Sequence, residues 1–114
     1  MLLASSLFAG DLTGKFSGSI IVKTPDGNTE EQSAWVSLTQ TGTTVTGSAG
    51  ESADRTSPIR EGKVDGDTVE FKVTAGDAEA KVRLRLEGDH LKGVAIVETP
   101  DGVVTGNLDL KRVP

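Results

Sequence analysis

Over residues 69–87 the chain alternates with a period of two. Val69, Phe71 and Val73 interleave with Glu70, Lys72 and Thr74, and Ala80, Val82, Leu84 and Leu86 interleave with Lys81, Arg83, Arg85 and Glu87. Successive side chains of an extended backbone point to opposite faces, so one apolar and one charged side mark half-buried antiparallel strands. Two turns of one form flank this pair, Val64-Asp65-Gly66-Asp67-Thr68-Val69 and Leu86-Glu87-Gly88-Asp89-His90-Leu91. A third glycine-aspartate link, Ala75-Gly76-Asp77-Ala78, joins the two strands and keeps Val73 and Ala80 on one side.

The rest of the chain repeats this grammar. A first strand is predicted over 13–24, with Gly14, Phe16, Gly18, Ile20 and Val22 on one face. Pro25-Asp26-Gly27-Asn28 turns it, because proline presets the first central dihedral and glycine accepts the positive one. A second strand over 29–40 carries Ala34, Val36 and Leu38 inward, and a short third over 44–49 carries Val45 and Gly47. Residues 50–58 form the longest polar gap and are read as a mobile loop. In the fourth strand, 58–64, Ile59 and Val64 differ in parity, so a bulge is expected at Gly62. The seventh and eighth strands, 90–99 and 103–113, are joined by Pro100-Asp101-Gly102, a near copy of the first hairpin.

No segment holds a 3.6-residue apolar period long enough for a helix. Eight hairpin-linked strands would leave two exposed edges as an open meander, whereas pairing the last with the first removes both. The expected fold is therefore all-β, an eight-stranded antiparallel up-and-down β-barrel forming a single domain over 11–114. About twenty inward side chains fill such a barrel or leave one modest cavity. If there is a mouth, it lies at the end carrying Pro25 to Asn28, the 50–58 segment, Gly76-Asp77 and Pro100 to Gly102.

Composition narrows the partners. A formal charge of −5 with no basic stripe argues against nucleic acid, since phosphate binding draws on clustered Lys and Arg. Cysteine is absent, which removes disulfides and thiolate metal sites. The apolar, small-residue segment 1–10 reads as a signal-peptide remnant or an N-terminal arm, and the first of these implies a secreted or periplasmic protein. No other stretch approaches the length of a membrane-spanning helix.

Leu12-Thr13-Gly14-Lys15-Phe16 resembles the opening strand of avidin-type barrels and, more loosely, the start of lipocalins. Val45-Thr46-Gly47 and Val104-Thr105-Gly106 are avidin-like steps, and the stretch from Ile59 to Phe71 resembles small secreted bacterial barrel domains that accompany envelope hydrolases. The resemblance implies a calycin-like scaffold. It does not bring biotin binding with it: Phe16 stands where avidins have tryptophan, Trp35 is the single tryptophan, and tyrosine is absent.

Candidate chemistry is sparse. His90 is the sole histidine, beside a tight turn and outward by parity, so no multi-histidine metal site or triad is indicated. Asp26, Glu51, Asp54, Asp77 and Asp101 sit where turn chemistry alone places them, outside any calcium-loop spacing. No cofactor is called for, and an enzyme is not expected. Two features suggest binding. Thr24, Glu30, Gln32 and Thr99 fall on the inward register near the mouth, where they would meet a small apolar ligand. Ile21, Trp35, Val94 and Ile96 face outward on neighbouring strands, a surface for a second copy or a protein partner. The leading expectation is a non-enzymatic binding or protein-interaction module using this outer surface. The alternative is a lipocalin-like carrier of a small apolar ligand in the barrel mouth.

Overall fold

A computed structural model describes residues 12–75 and 78–113. The segment 1–10 and the Gly76-Asp77 link lie outside the described residues. Eight strands follow one another: β1 Gly14–Lys23, β2 Thr29–Thr41, β3 Thr44–Ser52, β4 Arg55–Asp65, β5 Thr68–Ala75, β6 Ala78–Glu87, β7 His90–Thr99 and β8 Gly102–Arg112. Each pairs antiparallel with its sequence neighbour, and β8 pairs with β1, giving a closed up-and-down barrel. No helix among the described residues is long and apolar enough to cross a membrane.

The alternation translates directly into burial. Val69, Phe71, Val73, Ala80, Val82 and Leu84 are all buried, and the charged residues between them are mostly exposed. On the outer wall these charges pair across strands, Arg83 with Glu70 at 3.4 Å, Arg85 with Asp67 at 3.4 Å and Lys72 with Glu61 at 3.2 Å. Being solvated, each such pair contributes at most about 1 kcal/mol. Stability comes from the interior instead, where every buried side chain among the described residues is hydrocarbon.

The β1–β8 seam runs from Phe16 opposite Arg112 to Lys23 opposite Thr105. It needs a residue without a side chain: a Cβ on Gly18 would lie 2.1 Å from the Asp109 carbonyl oxygen of β8. Below the seam the barrel is plugged. Leu12 and Phe16 have no exposed surface, and the Leu12 amide donates to Gln40 Oε1 at 2.9 Å. The Arg112 guanidinium lies 4.8 Å from the Phe16 ring centroid and donates to the Thr13 carbonyl at 2.8 Å. One side chain of the last strand thus covers the aromatic of the first and holds the segment leading into it.

The phase break in β4 is a bulge, as expected, but the residues divide the work differently. Pairing with β5 shifts between Arg60 and Lys63, so Arg60 and Glu61 both point outward while Ile59, Gly62 and Val64 are buried. Glu61, not Gly62, carries the positive φ, 54°. Gly62 is required for closeness, since a Cβ there would sit 2.2 Å from the Val45 carbonyl oxygen.

The mobile-loop expectation for 50–58 is corrected. β3 continues to Ser52 and β4 begins at Arg55, leaving a two-residue link, with Ser48, Ala49 and Gly50 opposite Pro58, Ser57 and Thr56. The polar composition misled because, of the apolar residues paired at this level, Ala49 alone packs against the core. A register shift between Gly50 and Ser52 adds a second irregularity that hides the period.

Two outcomes test this account. Gly18→Ala forces a methyl into the β8 backbone and should lower unfolding stability by about 2–4 kcal/mol in urea melts; a change below ~0.5 kcal/mol would contradict the close approach. Glu61→Gly should raise stability by about 1 kcal/mol, because relief of the left-handed strain outweighs loss of the exposed Lys72 pair.

Candidate functional site

The two ends of the interior differ in side-chain size. Nearest the plug, Phe16, Leu38, Val69, Leu84, Leu91 and Leu110 are at most 2% exposed and pack into a continuous core. One inward step further along their strands stand Val36, Phe71, Val82 and Leu108, and these, with Ala95 two steps beyond Leu91, line the deep part of a cavity of about 600 Å³. Above the floor the inward positions become small: Ala34, Ala49, Ala80 and Gly106 all line the cavity, with Ile20, Val73 and Val97 between them. Alanine and glycine do not reach the barrel axis, so space remains where leucines close it at the other end.

The cavity lies toward the end of the barrel that carries the β3–β4 link. Its rim is polar, with Gln32 from β2, Thr56 and Ser57 from β4, Thr74 from β5, and the charged Glu51 and Arg55 beside the β3–β4 link. Below the rim the walls carry no ionisable side chain. Such a vessel solvates hydrocarbon and offers hydrogen bonds only at its lip. No group of three or more His, Asp or Glu side chains able to hold a metal occurs among the described residues.

Of the four mouth residues expected from the sequence, Gln32 lines the cavity. Glu30 is exposed opposite Val22, outside the cavity wall. The two threonines close turns. The Thr24 hydroxyl donates to the Asp26 carboxylate and lies 3.2 Å from the Asn28 carbonyl, and the Thr99 hydroxyl donates to the Gly102 carbonyl at 2.8 Å. The walls themselves were missed, although a signal for them existed: inward alanines at 34, 49, 80 and 95 against inward leucines at 38, 84, 91 and 110.

The outward set does not form one patch. Val94 and Ile96 lie on β7, exposed by 41% and 40%, and Ile21 on β1 sits two strands away, across Asn107 of β8. Trp35 is four residues further along β2 from Glu31, the partner of Ile21, which puts it about 13 Å away along the strand. It is half-buried and stands opposite Gly50 on β3 and Ser17 on β1, at the cavity's border rather than among the other three. An exposed Val103, at 51%, belongs to the outer surface and was not anticipated. His90 is at the plugged end, away from the cavity, with Nδ1 2.9 Å from Asp109 Oδ1.

Asp26 marks the electrostatics of the mouth turns. Hydrogen bonds from the Thr24 hydroxyl first, and then from the Asn28 backbone N–H, hold its carboxyl below the ordinary aspartate range. A depressed folded-state pKa means that the ionised turn stabilises above the unfolded-chain value, and that this contribution disappears as pH falls through the folded value. In a carbon-detected NMR titration Asp26 should therefore protonate at lower pH than in Thr24→Val; equal midpoints would show that the hydroxyl does not hold it.

Comparison of the chain with protein-family models, with curated proteins and with solved structures finds no significant match.

Proposed function

We propose that the protein is a non-enzymatic carrier that binds a small apolar molecule in the open half of its barrel, the use to which lipocalin-like and avidin-like scaffolds are put. The observation that carries this reading is the cavity of about 600 Å³, within the range of small-molecule sites, closed below by a leucine-rich plug and lined by aliphatic side chains. The similarity of Leu12-Thr13-Gly14-Lys15-Phe16 to the start of such barrels points the same way. Burying apolar ligand surface against this wall is worth roughly 25 cal/mol per Å², so a ligand of modest size can bind without a single deep hydrogen bond. The outer-surface module is the weaker reading, since Trp35 stands apart from Ile21, Val94 and Ile96.

The uncharged fluorophore N-phenyl-1-naphthylamine tests the carrier reading. It should bind saturably, one molecule per chain, with enhanced emission. Ala80→Phe fills the middle of the cavity from a wall position and should weaken this binding about tenfold or more while the fold survives by circular dichroism. A folded wild-type protein that gives no saturable signal would exclude the carrier.

A further inference from the structure

The small residues of the cavity wall are not spread evenly around the barrel. Its alanines come in two neighbouring pairs, Ala34 on β2 with Ala49 on β3, and Ala80 on β6 with Ala95 on β7. Within each pair the two are one inward step out of direct register, since Ala49 stands opposite Val36 and Ala80 opposite Val97. Barrel strands tilt and their ladders are staggered, so such diagonal neighbours come to one height along the axis. With the strands closed in sequence order, β2 and β3 lie across the barrel from β6 and β7. Side chains are therefore missing at both ends of one diameter, and Ser57 of β4, the partner of Ala49, extends the small side toward the rim.

The diameter at right angles is narrower. It runs from Leu108 on β8 and Ile20 on β1 to Phe71 and Val73 on β5. Gly106 of β8 does not open that side, because Ile20 lies over it: a Cβ on this glycine would sit 2.5 Å from Ile20 Cδ1. Long in one direction and short in the other, the cross-section is a slot. A globular guest broad enough to touch both alanine pairs is too thick for the aliphatic walls between them. One extended alkyl chain leaves the ends of the slot without contact and forfeits dispersion there, and coiling it to fill them costs rotamer freedom. A flat ring system meets the alanines with its edges and the bulky walls with its faces, and it has no internal rotation to lose.

We propose that the cavity takes a flat, fused-ring apolar molecule, its edges toward the two alanine pairs and its faces toward Ile20 and Leu108 on one side and Phe71 and Val73 on the other. This rests on the carrier reading and adds to it the shape of the guest.

The test compares three uncharged alcohols of equal carbon number by equilibrium dialysis against the full chain: flat 9-phenanthrol, globular 1-diamantanol and linear 1-tetradecanol. The flat alcohol should bind tightest, about tenfold or more ahead of the globular one. Ile20→Ala, or Leu108→Ala as a second variant on the same wall, opens the short direction and should cut that preference to a few-fold while circular dichroism stays that of the barrel. Binding of N-phenyl-1-naphthylamine, measured in parallel, reports the carrier separately. If that dye binds but 9-phenanthrol does not, or does not lead the other two alcohols, or keeps its full preference in both variants, the slot is overturned and the carrier stands. Absence of dye binding overturns both.

Discussion

Pairing of β8 with β1 is the constraint from which the other features follow. Closing the sheet satisfies the backbone donors and acceptors that an eight-strand meander would leave on two edges, and it defines an inside. The seam is held at both levels of structure. In the backbone, Gly18 lets the strands approach until no Cβ would fit, and the Val113 amide donates to the Lys15 carbonyl at 2.7 Å beyond the last ladder pair. In the side chains, Arg112 spans from the Phe16 ring to the Thr13 carbonyl. The same contacts that close the circumference also close one end, because Leu12 is drawn under the barrel by Gln40 and sealed there. A barrel plugged at one end by Leu12 and Phe16 can keep its opposite end open.

That opposition divides the interior into a packed half and an open one. Full burial of a leucine or phenylalanine contributes about 1.5–3 kcal/mol, and the plugged half holds the largest fully buried side chains. The open half, with alanines and a glycine on its walls, contributes less and keeps the space. Between the two ends, cross-strand ion pairs neutralise charge on the outer wall.

The plugged half was legible in the sequence because its physics is local. Strict alternation, glycine-aspartate turns and the parity conflict between Ile59 and Val64 each have one structural solution, and the strands and the position of the bulge came out where they predict. The open half was less legible for a related reason. Period-two patterning arises only where one face is packed, and at residues 50–58 the inward face borders a cavity, so polar residues are tolerated on both sides and a strand reads as a loop. Parity assigned the faces of the packed positions but could not tell how far along the barrel two outward residues lie. Trp35 and Ile21 share an orientation yet are separated along the strand direction, and only the register of β1 with β2 shows it. Thr24 and Thr99, expected at the mouth, bond within their own turns and do not line the cavity.

Why the open half stays open follows from closure itself. In a helix pair, truncating facing side chains lets the elements move together until the void disappears, and the loss is shared between lost contacts and collapse. A closed ladder has no such freedom, because strand number and stagger set the diameter through hydrogen bonds that cannot shorten. Alanine at 34, 49, 80 and 95 therefore yields space rather than a tighter barrel. The missing dispersion contacts are lost outright, which leaves the walls with attraction that an apolar guest can satisfy. Small residues at inward positions of a closed sheet thus leave space that the proposed apolar guest would fill, and they do so only because the seam at Gly18 and Arg112 holds the circumference fixed.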